Sequence, residues 1–183
     1  MVLLATPIRT AGLVLRSLDV SHASGPYAAW MRDEDVTRYL EVRFAPPDRN
    51  ALEEFIRRMN ESKDNLLLGL FPAADPQRHI GNIKLGPIDP RHAVAAIGVL
   101  IGAKEYWGKG LAGEAVAAVA EYGFASCGLE RVEAGFYAEN EASQRAFKRA
   151  GFVEEGRRFR ARRSGDARTD EIIMGRLREQ HSA

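Results

Sequence analysis

The spacing of apolar positions along the chain changes several times, and each change marks an element. Leu13, Val14 and Leu15 followed by Arg16 read as a short strand, and residues 22–31, carrying Tyr27 and Trp30, read as a helix. Leu52, Phe55, Ile56 and Met59 then recur at i, i+3, i+4 and i+7 behind Asp48, which predicts an N-capped amphipathic helix over residues 49–61. Beyond it the period shortens. Residues 65–71, 80–85 and 95–101 are β-compatible runs separated by proline- and glycine-rich turns. Those gaps are too short for a parallel crossover, so the three runs are expected to pair antiparallel. Leu111, Ala115, Ala118, Val119 and Tyr122 fall on one face of a helix that ends near Gly128. In residues 131–137, Val132, Ala134 and Phe136 alternate with Arg131, Glu133 and Gly135 as in a half-buried strand. Asn140 is placed to cap a further helix that reaches about Arg149 and stops at Gly151, and two strands close the chain near residues 152–162 and 170–177.

The order β-α-α-β-β-β-α-β-α-β-β defines an α/β (α+β) domain, a mixed sheet of seven strands flanked by about four helices, with no repeat or linker. With 183 residues, a single domain over residues 1–183 is expected, its core spanning about 10–178. A composition of 45% apolar and 28% charged residues is that of an ordinary globular protein, and 26 basic against 25 acidic residues give no general attraction to nucleic acid. Cys127 is the lone cysteine, which excludes an internal disulfide, supports no structural metal site and fits a reducing cytoplasm. The opening MVLLATPIR lacks a leading basic residue and is interrupted by Pro7 and Arg9, so it is not read as a signal peptide. No stretch approaches the ~20 apolar residues of a membrane span.

One stretch carries a chemical signal. Gly108-Lys109-Gly110-Leu111-Ala112-Gly113 fits G-x-G-x-x-G at the start of a predicted helix, where unpaired N–H groups and the helix dipole suit a phosphate. Glu133, 20 residues after Gly113, keeps a dinucleotide-binding oxidoreductase open as an alternative. Against it, the loop follows an antiparallel meander and residues 103–107 separate strand from glycine, while Glu133 lies within its strand rather than at the end. The glycines also fit a plain turn.

A second cluster adds weight to the phosphate-binding reading. Asn140, Ser143, Phe147, Lys148, Gly151 and Phe152 stand together with the glycine loop one strand away, and in this the chain resembles the GNAT superfamily of acyl-CoA-dependent N-acetyltransferases, most closely its RimJ/RimL-like branch. That family carries a Q/R-x-x-G-x-G/A turn, matched by Trp107, Gly108, Lys109, Gly110, Leu111 and Ala112, with Trp107 standing where Gln or Arg is usual. It also has an Asn opening the next helix and a Gly-Phe closing it, matched by Asn140, Gly151 and Phe152. The similarity covers roughly residues 10–178. It implies a mostly antiparallel sheet splayed between the fourth and fifth strands, with acetyl-CoA as co-substrate and no metal. The backbone of Val99, Leu100 and Ile101 would hold the pantetheine arm and polarise the thioester. Asn140, Ser143, Phe147 and Lys148 would line the cofactor, and Lys109, Arg145 and Arg149 would add charge.

Amine attack on a thioester needs a base for the amine and a proton for the departing sulfur. Many relatives supply the proton from a Tyr where this chain has Phe147, so Ser143 is the candidate acid, with Tyr137 a second choice. Glu41, in the stretch where the family builds its acceptor pocket, is the candidate base, and Asn82 and Lys84, with His92, are candidates for binding the acceptor. Cys127, far from both motifs, is not expected to act as a nucleophile. Arg157, Arg158, Arg160, Arg162 and Arg163 form a basic run that an anionic acceptor would use, or that is the polar face of an exposed strand pair. The expected partner is a primary amine, on a protein N-terminus or a small molecule such as an amino sugar. No membrane or nucleic acid is expected, a homodimer is compatible with the reading, and a non-catalytic acyl-CoA-binding protein stays open as a further alternative.

Overall fold

A computed structural model describes Leu4 and residues 6–179 of the chain. Residues 1–3, 5 and 180–183 lie outside the described residues, and with them part of the MVLLATPIR stretch and both ends of the expected domain. The strands are β1 (Ile8–Arg9), β2 (Leu13–Ser17), β3 (Leu66–Pro72), β4 (Gly81–Asp89), β5 (Val94–Ile101), β6 (Arg131–Tyr137), β7 (Val153–Ser164) and β8 (Ala167–Leu177). They form one sheet in the order β1-β2-β3-β4-β5-β6-β8-β7. The expected seven strands become eight because Ile8 and Arg9 pair with Leu15 and Val14. Two residues carry no periodicity, so this strand had no sequence signal.

The helices are α1 (Pro26–Trp30), α2 (Glu34–Thr37), α3 (Arg49–Glu61), α4 (Leu111–Ser126) and α5 (Glu141–Arg149). The helix expected over 22–31 is two pieces. Residues Val20–Ser24 make a 3₁₀ turn capped by Asp19, and α1 starts only at Pro26. Pro26 has no N–H to continue a helix and disfavours helical geometry at Gly25, yet suits a first helical turn. α3 forms as expected: Asp48 accepts from the Ala51 N–H at 2.8 Å, and Leu52 and Ile56 are buried.

Every residue of β3 is buried, so both of its faces are covered. α3 packs on β3 and on the turn of residues 20–24, while α4 packs on β2, β4, β5 and β6 and against α5. The core runs between these layers, with Leu13, Leu15, Ile56, Leu68, Leu70, Phe71, Ile80 and Ile83 among its most buried members. Among the described residues, β5–β6 is the one parallel pair in an otherwise antiparallel sheet.

Candidate active site

β5 and β6 are registered only at Val94↔Arg131, Ala95↔Val132 and Ala96↔Glu133. Both strands continue, to Ile101 and Tyr137, without pairing further, so the sheet opens there. Which backbone groups face the opening follows from alternation along β5. Gly102 donates to Ile80 O on the β4 side, and Ala93 O accepts from Arg131 on the β6 side. Even-numbered residues of β5 therefore turn to β4, and Val99 and Ile101 turn to the gap. Leu100, also expected to offer its backbone, is an even-numbered position whose N–H and C=O turn to β4, although the residue lines the gap.

The loop expected to hold a phosphate lies at the mouth of this opening. Gly108 and Gly110 take φ of 74° and 81°, a region glycine enters without a Cβ penalty. Gly110 is the N-cap of α4 and places no side chain on the first turn. The first bond of the helix runs from Glu114 N to Gly110 O, so the amides of residues 111–113 have no carbonyl of their own helix to bind. Trp107 anchors the loop by donating its indole N–H to Ile101 O at 2.8 Å. The Lys109 ammonium sits 4.9 Å from the centre of the Tyr106 ring. Arg149 reaches back over Gly110.

Three cavities follow one another along the opening. The first, about 210 Å³, is lined by Gly108, Gly110, Leu111, Ala112, Arg145 and Arg149. It shares Ile101, Trp107, Ala112, Ala142 and Ala146 with a second of about 260 Å³. The second shares Val99, Leu100, Tyr39, Leu40, Asn140 and Ser143 with a third of about 330 Å³, which Glu41, Asn82, Lys84 and Phe147 also line. The result is one groove from the helix start to the pocket against β4. Asn140 accepts from the Ser143 N–H at 3.1 Å and so caps α5, leaving the Ser143 side chain where the second and third cavities meet. Phe147 is buried against Phe136 and Phe152, with ring centres 5.5 and 5.0 Å away.

Glu41 opens a 3₁₀ turn of residues Glu41–Phe44, and its Oε1 accepts from Tyr137 OH and from Arg162, each at 3.0 Å. Burial, then the bond to Glu41, pushes the Tyr137 phenol above its ordinary value. Arg162 also binds the buried Glu171, which ties the last hairpin to Glu41. Asn82 is buried, and its Oδ1 lies 2.8 Å from His79 Nε2. Lys84 donates to Asn65 at 3.1 Å, and burial pulls its ammonium down.

Most of the residues expected to form the site therefore share the groove. Lys109 stands in the loop, while Lys148 is exposed on α5 and lines none of the three cavities; Arg145 and Arg149, one helical turn apart, line the cavity at the glycine loop. His92 sits in the turn between β4 and β5, exposed and bound through its amide to Asp89, at the end of β5 opposite to Leu100. The Cys127 thiol at the end of α4 is pushed up by burial, as suits an inert cysteine. Glu133 pairs with Arg131 near the start of β6, facing Ala96. The basic run is largely paired within its hairpin, Arg157 with Glu154 and Arg158 with Glu171. Sequence reasoning missed Tyr27, Tyr39 and His79 as contributors and named Arg162 only within the basic run; Tyr39 and Arg162 meet their partners across 100 and 121 residues of chain, whereas His79 stands three residues from Asn82 and was signalled by no motif. Among the described residues, no group of three or more His, Cys, Asp or Glu is placed to hold a metal ion.

A mixed sheet opening at its parallel pair, with a glycine-capped helix start at the mouth, is the architecture expected of an acyl-CoA-dependent N-acetyltransferase. Comparison with known proteins reaches the same class. Residues 12–153 match the model of the acetyltransferase (GNAT) domain, and the chain belongs to that family of N-acetyltransferases. It is 30% identical over 151 residues to the uncharacterized N-acetyltransferase YoaA of Bacillus subtilis (strain 168), covering 81% of this chain and 84% of that one. Its fold is similar to that of RimL, a ribosomal L7/L12 alpha-N-protein acetyltransferase solved with coenzyme A, at TM-score 0.83 and 16% identity over 93% of this chain and 97% of the other. The spermidine N-acetyltransferase of Vibrio cholerae, solved with CoA and spermine, superposes at TM-score 0.80 with 22% identity over 92% and 96%.

Proposed function

We propose that this N-acetyltransferase moves an acetyl group from acetyl-CoA to a primary amine by direct attack, with both substrates held in the one groove. The observation that carries the reading is the continuity of the three cavities, from the glycine-capped start of α4 to the pocket holding Glu41. The amides of residues 110–113, with Arg145 and Arg149, fit a diphosphate, and the outward-turned backbone of Val99 and Ile101 fits a pantetheine arm. Acetyl-CoA supplies an activated acyl thioester, and every other part of the chemistry falls to the protein.

A fixed N–H of β5 stabilises negative charge developing on the acyl oxygen without reorganising. Glu41 attracts the cationic amine and takes its proton, directly or through water. Ser143, where the two inner cavities meet, relays a proton, giving its own from Oγ to the departing sulfur as it takes the one that the acylated nitrogen sheds, directly or through water. Phe147 has none to give, and Tyr137 OH already donates to Glu41. The fold neighbours act on a ribosomal protein and on spermidine, so both a protein N-terminus and a small amine are acceptors to test. A single half-buried thiol suits work in the cytoplasm. The test is release of free thiol from acetyl-CoA with a panel of N-terminal peptides and small amines, alongside calorimetry with CoA and with NAD(P). Turnover with binding of CoA is expected. Binding of CoA without turnover would make the chain an acyl-CoA sensor, and a preference for NAD(P) would overturn the reading.

A further inference from the structure

Asn82 is 6% exposed, and its side-chain Nδ2 is buried with no hydrogen-bond partner among the described residues. Its orientation is set by a neighbour. His79 Nε2 lies 2.9 Å from Gly81 O and 2.8 Å from Asn82 Oδ1. A carbonyl only accepts, so Nε2 must carry the proton, and the oxygen of Asn82 rather than its nitrogen faces His79. Burial holds His79 neutral, pushing its pKa down to about 4. The amide nitrogen is thereby left as a fixed donor that has the Tyr27 hydroxyl beside it but makes no hydrogen bond among the described residues.

The residues around it share this character. Tyr27 lines the same cavity, and burial pushes its phenol up to about 12, with the Asn82 amide beside it acting the other way, so the hydroxyl stays protonated. Lys84 contributes a third donor from β4, while Glu41 lines the cavity from a different segment. The pocket thus offers one carboxylate for a cationic nitrogen and, on β4 and α1, donors for an oxygen. An unpaired buried donor destabilises a complex, so a ligand lacking the oxygen is disfavoured.

We propose that Asn82 is a specificity-determining residue, positioned by His79, that selects acceptor amines bearing a carbonyl or carboxylate oxygen near the reacting nitrogen. The inference rests on the acetyl-transfer reading. It disfavours polyamines, which bring only N–H donors and would set a second ammonium beside Lys84.

The test compares kcat/KM for phenylalaninamide, a phenylalanyl peptide and free phenylalanine against phenethylamine and spermidine. In the wild-type protein the oxygen-bearing amines are expected to lead by roughly tenfold to a hundredfold. A lead for free phenylalanine identifies a carboxylate as the ligand, and a lead for the peptide identifies a carbonyl. Asn82→Leu should collapse the ratio, mainly through KM, and Asn82→Asp, of nearly the same shape, should shift preference toward spermidine. His79→Phe should lower the ratio and His79→Gln, which restores an amide N–H, should recover part of it. Thermal shifts with each amine in the presence of CoA give the same ranking without turnover and verify that the variants fold. Equal use of phenethylamine and phenylalaninamide, or an unchanged ratio in folded Asn82→Leu, overturns this inference and leaves acetyl transfer standing. Acetylation of no amine at all sinks both.

Discussion

At the scale of single residues, the proposed chemistry turns on two polar contacts, one at the exposed Glu41 and one at the buried Asn82. Glu41 receives its hydrogen bonds from Tyr137 and Arg162, 96 and 121 residues along the chain, rather than from nearby Arg43. Arg43 instead stacks on Tyr137 and Phe44 and donates to Arg38 and Arg163 backbone carbonyls. Glu41→Gln is expected to lower kcat/KM by about a hundredfold near pH 7. The deficit should narrow as pH rises toward the pKa of the amine, because free amine needs no base. A pH–rate profile that overlays the wild type removes Glu41 from the role. His79 gives a second expectation, on stability. Its folded pKa of about 4 lies below the 6.5 of an exposed histidine, so the unfolded chain binds the proton more readily. The stabilisation is complete above pH 6.5 and is lost as pH falls to about 4, amounting to about 3 kcal/mol. Urea denaturation across that range should show the slope in the wild type and its absence in His79→Gln.

At the scale of elements, the turn into α4 is where local sequence and site coincide. Gly110 holds a positive φ and caps the helix, and a Cβ there would come within 3.6 Å of the Arg149 guanidinium. Gly110→Ala should cost about 1–2 kcal/mol of stability from backbone geometry alone and weaken CoA binding further by disturbing the bare amides. Chemical denaturation and calorimetry measure the two effects separately, and unchanged CoA affinity would place the diphosphate elsewhere. Elements with a strong period were legible: the stripe of α3, the alternation of β6 and the Asn140 cap of α5 stand where the sequence put them. Short elements were not. β1 and α2 carry two and four residues, about one period each, so no pattern repeats within them, and the break at Gly25-Pro26 was read through as continuous helix.

At the scale of the whole molecule, the sheet is a frame whose opening between β5 and β6 joins the helix start to the pocket lined by Glu41 and Asn82. A ligand bound along it stabilises the folded state alone. CoA at 100 times its dissociation constant should add about 2.7 kcal/mol, raising Tm by about 5–10 °C for a chain of this size. A shift with NAD and none with CoA would contradict that frame. The glycine turn, the helix caps and the apolar periods were written in local sequence, because steric limits on φ and the burial of one face act within a few residues. From them came the class of fold and the glycine-capped helix start at one end of the groove. The partners of Glu41, the place of Lys148 outside the groove lining and the turning of the Leu100 backbone toward β4 were set by packing and strand register. Those depend on which distant segments meet when the sheet closes, and no stretch of sequence read alone contains that information.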